Sequence, residues 1–320
     1  MKVALITGAN GQDGTYLFNF LHGHGYDCIY KYTGNVLDIG DIQKTLKNFT
    51  YADRIEIYNL AAKTDTGISI PNPIESFHVN SMGILTILES VKELNLINKC
   101  RIFHASSSEV FDKSLLCHDT ISYQDENTER DSKTIYGLSK ITADNILKTY
   151  RDVYGLNVYS GILFNHESPL RKDKFVTTKI INGLKRVFRG EIEYIELGNI
   201  NIYRDWGHAK DFVAAMWLIL QSDTPDDYII ATGKYNTVRK FIEITVDVMG
   251  KKINWEGEGV DEIGIVDGKI VIRISEKFYR PYDKNLVGNP YKLKLETGWN
   301  PIYNLRDIIV DMVNYFLSTL

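Results

Sequence analysis

Apolar positions along this chain fall into short runs of two alternating kinds. Val3-Ala4-Leu5-Ile6 is an unbroken run of strand length, and after a glycine loop Tyr16, Leu17, Phe20 and Leu21 recur at helical spacing. A second strand is predicted over Cys28–Tyr32, then a helix around Ile42–Phe49 and a third apolar run over Ile55–Ala62. A helix from Val79 to Leu94 precedes the strand Arg101–Ala105. Strands alternating with helices predict an α/β fold on a doubly wound parallel sheet. In such sheets ligands sit beyond the carboxyl ends of the strands. Far downstream, Lys269–Ile274 alternates strictly and predicts a half-buried strand with no chemistry of its own.

Composition narrows the classes. With 320 residues, 44% of them hydrophobic, the chain suits one large domain or two interleaved ones. A net charge of −4 without Lys/Arg runs argues against a nucleic-acid partner. Cys28, Cys100 and Cys117 are sparse and lack a CxxC pair, which fits a reducing, cytoplasmic setting and argues against a disulfide frame or a metal site. The N-terminus reads as a first strand and not as a signal peptide, and no apolar run approaches membrane-spanning length. Internal repeats and low-complexity segments are absent.

Three places carry candidate chemistry. The first is Gly8-Ala9-Asn10-Gly11-Gln12-Asp13-Gly14, between the first strand and helix. Glycines let backbone approach a pyrophosphate, and the helix N-terminus offers unpaired N–H groups and a positive dipole end. Its spacing is GxxGxxG, not GxGxxG, and an ordinary strand-to-helix turn is the alternative. The second is the strand end Ser106-Ser107-Ser108-Glu109, and the third is Tyr136-Gly137-Leu138-Ser139-Lys140. A Tyr and a Lys four apart on a helix share one face. A neighbouring ammonium favours the phenolate of a tyrosine whose ordinary pKa is about 10. Ser107 can hydrogen-bond an alcohol as it becomes a carbonyl. Glu109 is surplus to simple alcohol oxidation, since a carboxylate there can remove an acidic C–H beside the new carbonyl. That glycine loop and these residues all fall at the same edge of the predicted sheet.

On these residues the chain resembles the extended short-chain dehydrogenase/reductase superfamily: the glycine loop, Asn59-Leu60-Ala61-Ala62, Ser106–Glu109 and YxxxK. Within it the chain resembles the GDP-mannose 4,6-dehydratase family, through G-I-L-F-N-H-E-S-P (161–169), F-V-T-T-K-I (175–180) and R-D-W-G-H-A-K-D-F (204–212). The match continues in D-D-Y-I-I-A-T-G (226–233), W-E-G-E-G-V (255–260) and Y-R-P (279–281). The resemblance implies a Rossmann-type domain over residues 1–165, with about 200–222 returning to it. A smaller C-terminal α/β substrate-binding domain would take 166–199 and 223–320. It also implies conversion of GDP-mannose to GDP-4-dehydro-6-deoxymannose with a recycled nicotinamide.

Carried over by position, the catalytic set is Ser107 (threonine in the family), Glu109, Tyr136 and Lys140. NADP, with NAD possible, would be held by Gly8, Asn10, Gly11, Gln12, Asp13 and Gly14, by Asn35 and Val36, and by Leu60, Ala61, Ala62 and Thr64. Tyr136, Lys140, His166 and Arg171 complete that list. The nucleotide sugar would meet Ser108, Asn165, Lys179, Arg204, Arg280 and Asp283. Trp206 and Trp255 read as core, and Asp125–Lys133 as an exposed loop over the active-site mouth. The other functions open to such a chain are a UDP-sugar decarboxylase or 4-epimerase, or a cofactor sensor without catalysis.

The N-terminal part departs from the family. An arginine-rich loop, a helix and a strand usually stand between the second strand and the adenine-contacting Asp-Leu. Here Tyr32-Thr33-Gly34 runs directly into Asn35-Val36-Leu37-Asp38, as in dTDP-4-dehydrorhamnose reductases, whose sheet lacks the same unit. Asn35 replaces an aspartate, and Asp65 a common histidine. The family's loop binds the NADP 2′-phosphate and helps to build tetramers. Its absence predicts NADP with reduced preference over NAD, and a homodimer through the helices around Val79–Leu94 and Tyr136–Tyr150.

Overall fold

The computed structural model describes residues 1–64, 72–111, 123–278 and 285–318. Arg280, Asp283, Asp65 and Cys117 therefore lie outside the described residues. The main sheet takes its strands from β1 (Lys2–Thr7), β2 (Cys28–Tyr32), β3 (Arg54–Asn59), β4 (Cys100–Ser107), β5 (Asn157–Leu163) and β6 (Asp227–Ile230). Their spatial order is β6-β5-β4-β3-β1-β2, and every pairing is parallel. The chain reverses direction across the sheet between β1 and β3, which opens a crevice at their carboxyl ends.

Helices cover both faces, as the unbroken apolar strands require. On one face Leu5, Ile57 and Ile102 pack against α3 (Gly83–Glu93) and α4 (Ile135–Tyr154) through Leu88 and Leu147. On the other, Ala4, Ile6 and Phe103 meet Leu17 of α1 (Gln12–Leu21) and Met216 of α6 (Ala209–Gln221). A second lobe has its own core, in which Ile180 and Leu184 of α5 (Val176–Phe188) meet Phe241 of α7 (Val238–Val248) and Met312 of α8 (Leu305–Ser318). Its four-stranded sheet includes Lys269–Ile274, half-buried as its alternation predicts. The parallel pair Asn165–Glu167 and Trp206–His208 joins the lobes.

Local chemistry explains the deviations from the sequence reading. Helix α2 (Ile39–Lys47) starts three residues before the predicted Ile42, because the Asp38 side chain caps it by accepting from the Asp41 N–H at 3.1 Å. The helix expected from Val79 begins at Pro73, capped by Asn72. It passes through a π-turn at His78–Met82 before continuing as α3. β6 lies beyond residue 222, where the first domain's returning segment was expected to end, and Tyr228 and Ile230 are buried in the main core. Asp125–Lys133 is a loop, but only part of it is exposed. Glu126 accepts from the Ile229 N–H at 2.8 Å and Arg130 turns inward, so this segment packs along β6 and does not cover the site.

β2 is an edge strand with β1 as its one partner among the described residues. No strand lies outside β2 among the described residues, where the family resemblance leads one to expect a further unit. Among the described residues there is no helix long and apolar enough to cross a membrane, and no cluster of His, Cys, Asp and Glu that could hold a metal.

Candidate active site

The glycine loop is shaped by contacts that a side chain would destroy. Gly8 has φ +65°, and a Cβ there would lie 2.8 Å from the backbone of Leu60 and Ala61. A Cβ at Gly14 would lie 2.4 Å from the Gly8 carbonyl oxygen. The turn between β1 and α1 therefore rests directly on the end of β3. Gly11 N–H closes the turn on the Gly8 carbonyl at 2.9 Å. A cleft of about 750 Å³ opens here, with the whole loop from Gly8 to Gly14 on one wall. Asn35 and Val36 line it beside the end of β2, and Leu60, Ala61, Ala62 and Thr64 form its floor. Arg171 reaches it from the second lobe. Bare backbone at a helix N-terminus, with a cation opposite, fits a dinucleotide pyrophosphate.

Next to this cleft is a smaller chamber of about 240 Å³ that shares Asp13, Leu60, Ala62, Thr64, Arg171 and Phe175 with it. The strand end and the helix contribute Ser107, Ser108, Glu109, Tyr136 and Lys140 to its lining. From the second lobe come Asn165, His166 and Arg204. Trp206 borders the chamber while packing on Phe241 at 5.4 Å, so it is core and wall together.

Glycine again brings the parts together. Thr134 caps α4 by accepting from the Gly137 N–H at 3.0 Å. A Cβ at Gly137 would lie 2.3 Å from the Glu109 carbonyl. The first turn of α4 can thus lie flat on the turn Ser108–Val110, and Tyr136 is set beside Glu109. The Ser107 hydroxyl accepts from the Glu109 N–H at 3.3 Å and hydrogen-bonds Tyr136. Burial pushes the Tyr136 phenol up to about 12; the Ser107 hydrogen bond works against this, and the Glu109 charge adds to it. Burial pulls Lys140 down to about 8, opposed by Asp144, and its ammonium donates to the Ala105 carbonyl at 2.7 Å.

Sequence reasoning placed His166 against the cofactor. It lines the chamber, stacks on Phe212 at 4.5 Å, and binds both Asp13 carboxylate oxygens at 3.0 Å through Nε2. Its Nδ1 faces the Phe164 carbonyl at 2.8 Å, so both ring nitrogens meet acceptors, an arrangement that favours the protonated ring. Burial would lower its pKa, but Asp13 outweighs that and raises it; Asp13 is lowered in turn, against its own burial. Gln12 adds a bond to the His166 carbonyl at 3.1 Å, and Ser168 donates to Gln12 at 2.8 Å. The glycine loop is thereby fastened to the second lobe.

Lys179 stands apart. It lines a cavity of about 770 Å³ in the second lobe, donates to the Glu196 carbonyl at 2.6 Å and lies 4.3 Å above the Phe278 ring. Among the chamber-lining residues that the sequence reading did not assign to the site are Glu167, Phe175 and Thr177. The Thr177 hydroxyl donates to Glu167 at 2.6 Å, and Arg171 sits 3.6 Å over the Phe175 ring. Nothing in the local pattern separates these from ordinary loop and helix residues.

A six-stranded parallel sheet, a glycine-loop cleft at its switch point and an adjoining Ser/Tyr/Lys chamber define an extended short-chain dehydrogenase/reductase. Solved structures agree on the fold. The structure of RMD from Pseudomonas aeruginosa complexed with NADPH superimposes with a TM-score of 0.81 at 18% identity, covering 99% of this chain and 100% of that one. dTDP-glucose 4,6-dehydratase (rfbB) from Bacillus anthracis in complex with NAD gives 0.79 at 20% identity, covering 100% and 97%. The sequence is more specific: the family model for GDP-mannose 4,6 dehydratase matches residues 31–312. GDP-mannose 4,6 dehydratase 2 of Caenorhabditis elegans is 37% identical over 341 aligned positions, 98% of this chain and 88% of that protein. GDP-mannose 4,6 dehydratase of Homo sapiens is also 37% identical, over 98% and 91%. The chain belongs to the GDP-mannose 4,6-dehydratase family.

Proposed function

We propose that the chain removes one water from GDP-mannose to give GDP-4-dehydro-6-deoxymannose, with no net consumption of cofactor. The observation that carries this is Glu109 in the same chamber as Ser107, Tyr136 and Lys140. A nicotinamide dinucleotide held by the Gly8–Gly14 loop, Asn35, Val36 and Leu60–Ala62 would supply the hydride chemistry, oxidation at C4 and reduction at C6. Tyr136 takes the proton of the sugar 4-hydroxyl, Ser107 hydrogen-bonds the oxygen as it becomes a ketone, and Lys140 holds the phenolate as a counter-charge. The ketone acidifies C5–H. Glu109 removes that proton and passes one to the departing C6 hydroxyl, which leaves as water; Tyr136 returns its proton to C5 as C6 is reduced, which restores both the tyrosine and the cofactor. Asn165 and Arg204 would position the sugar-phosphate. Incubation with a panel of nucleotide sugars, followed by mass spectrometry, tests the reading. GDP-mannose should lose one water; product from a UDP-sugar but none from GDP-mannose would overturn it.

The same reading extends to cofactor, assembly and location. The cleft wall at the end of β2 is Tyr32, Thr33, Gly34, Asn35 and Val36, with no charged side chain among them. Lys31 points elsewhere, 3.7 Å from the Phe18 ring. Neither a cation for a 2′-phosphate nor a carboxylate for a 2′-hydroxyl lines this stretch. NADP is therefore bound with little preference over NAD, and calorimetry giving a preference of about a hundredfold, near 2.7 kcal/mol, would refute this. The assembly is a homodimer through α3 and α4. Supporting it, Leu85 faces Thr142, Ile146 and Tyr150 across an open groove of about 300 Å³, and Leu138 and Val153 are exposed nearby. Light scattering should give a dimer mass; a stable tetramer contradicts it. The setting is the cytoplasm.

A further inference from the structure

Beneath the chamber is a buried charged network that the proposed chemistry leaves unused. Asp144, one helical turn beyond Lys140 on α4, is 2% exposed. Its carboxylate accepts from the Ser106 hydroxyl at 2.8 Å and the Ser160 hydroxyl at 2.7 Å, and pairs with Arg130 at 3.1 Å. Ser106 is the residue between Ala105, whose carbonyl holds Lys140, and Ser107 of the chamber. One carboxylate thus ties the helix bearing Tyr136 and Lys140 to the strand end bearing Ser107 and Glu109.

We infer that Asp144 is a positioning residue for the reaction, fixing the end of β4 against α4 and serving as the buried counter-charge that keeps Lys140 protonated. The inference rests on the function proposed above. Other charged or titratable groups face this pair from each side. Arg130 comes from the loop before α4 and bonds Asp227 of β6 at 2.7 Å, and Arg151 of α4 bonds Asp227 at 2.9 Å. His104 of β4 is fully buried and kept neutral, its pKa far below the usual value through burial and the nearby Lys140. Tyr136 shares the helix face. Asp144 is the one group among these whose charge supports that of Lys140 directly. Burial raises Asp144 to about 6, so it is ionised above that pH, where the support is needed.

The sign follows. Lys140 works as an ammonium and loses its proton near 8. Without the Asp144 charge it loses that proton at lower pH, so activity falls off earlier as pH rises. An opposite charge close by is worth one or more pKa units. Asp144→Asn should therefore move the alkaline limb of kcat acidward by about one unit, roughly tenfold in rate on the limb. The affinity for NADP, measured by calorimetry against pH, should weaken along the same shifted limb. Asp227→Asn, which disturbs Arg130 without facing Lys140, should leave the limb in place, and Asp144→Glu should restore it. An unmoved limb in Asp144→Asn, or an equal shift in Asp227→Asn, overturns the inference. If Asp144→Asn does not fold, Ser106→Ala cuts the tether and keeps the charge. It should lower kcat with the limb unmoved, and unchanged kcat then overturns the positioning role. Should the wild-type protein make no product from GDP-mannose, the function reading fails while the calorimetric limb still decides on Asp144.

Discussion

Glu109→Gln separates the two halves of the proposed reaction. The side chain keeps its size and its place on the Ser108–Val110 turn but loses its charge and basicity. Two consequences run in opposite directions. The Glu109 charge is one of the causes that hold the Tyr136 phenol up near 12, so removing it eases the first proton abstraction. Meanwhile C5–H loses its acceptor, and a positioned general base is worth on the order of 10²–10⁴-fold, about 2.7–5.4 kcal/mol of barrier. Oxidation at C4 should therefore proceed while elimination stalls. Mixing the variant with oxidised cofactor and GDP-mannose in a stopped-flow spectrometer should show reduced nicotinamide absorbance rising towards one equivalent per subunit and then persisting. Quenched samples should contain the 4-keto hexose before loss of water. Tyr136→Phe, blocked at the earlier step, should show no absorbance at all. Wild-type turnover in Glu109→Gln would sink the base assignment, and silence in both variants would place Glu109 upstream of hydride transfer.

Two other outcomes follow from the glycine loop and its fastening. Gly14→Ala forces a Cβ to within 2.4 Å of the Gly8 carbonyl, and backbone on both sides cannot yield cheaply. It should cost about 1–3 kcal/mol of stability and about tenfold or more in cofactor affinity. Gly11→Ala meets the same oxygen at 3.2 Å and should change both far less, which thermal melts and calorimetry on the pair will show. The Asp13–His166 pair should make stability depend on pH in a stated sense. A raised His166 contributes fully below its unfolded value of about 6.5, and its share is lost as pH rises through its folded value; a lowered Asp13 contributes above about 3.9, lost as pH falls through its own folded value. His166→Gln should therefore cost about 1–3 kcal/mol near pH 6 and clearly less near pH 9; an equal loss at both would show that the pair is not charged.

What sequence could read here and what it could not divide along a physical line. Apolar runs such as Val3–Ile6 show the sheet, because parallel strands buried on both faces need no polar alternation. The chamber lining was readable for Ser107, Glu109, Tyr136 and Lys140, whose chemistry depends on residue type and spacing within one turn or one helix. Asp144 was not readable in that way. A carboxylate four residues after a lysine usually signals an exposed i,i+4 pair. Only the third dimension shows that this one faces inward, meeting Ser106, Ser160 and Arg130 from three separate segments. His166 is an intermediate case: its place at the site was legible, but its partner Asp13 lies 153 residues away in the chain.

The shortened edge of the sheet shows how an absence in sequence becomes a property of the site. The relatives align over more positions than this chain has residues, so the alignment opens gaps in it. The unit expected from the family would fall outside β2, at one of the two edges of the sheet, where a strand can be lost without breaking an interior ladder. An interior loss would leave two rows of backbone groups unpaired; an edge loss merely makes β2 the new edge. The exposed flank of β2 is then managed locally. Tyr32 turns its hydroxyl onto Asp41 at 2.6 Å and onto the Asn35 carbonyl at 3.0 Å, which pulls the 33–36 turn in against α2. A Cβ at Gly34 would fall 2.0 Å from the Asp41 carboxylate, so a larger residue there would displace the Asp41 and Tyr32 side-chain ends that make this bond. That same turn is the cleft wall beside Asn35 and Val36. The closure of the sheet at this edge thus sets the surface presented at the end of β2, an uncharged, backbone-rich wall of the cleft.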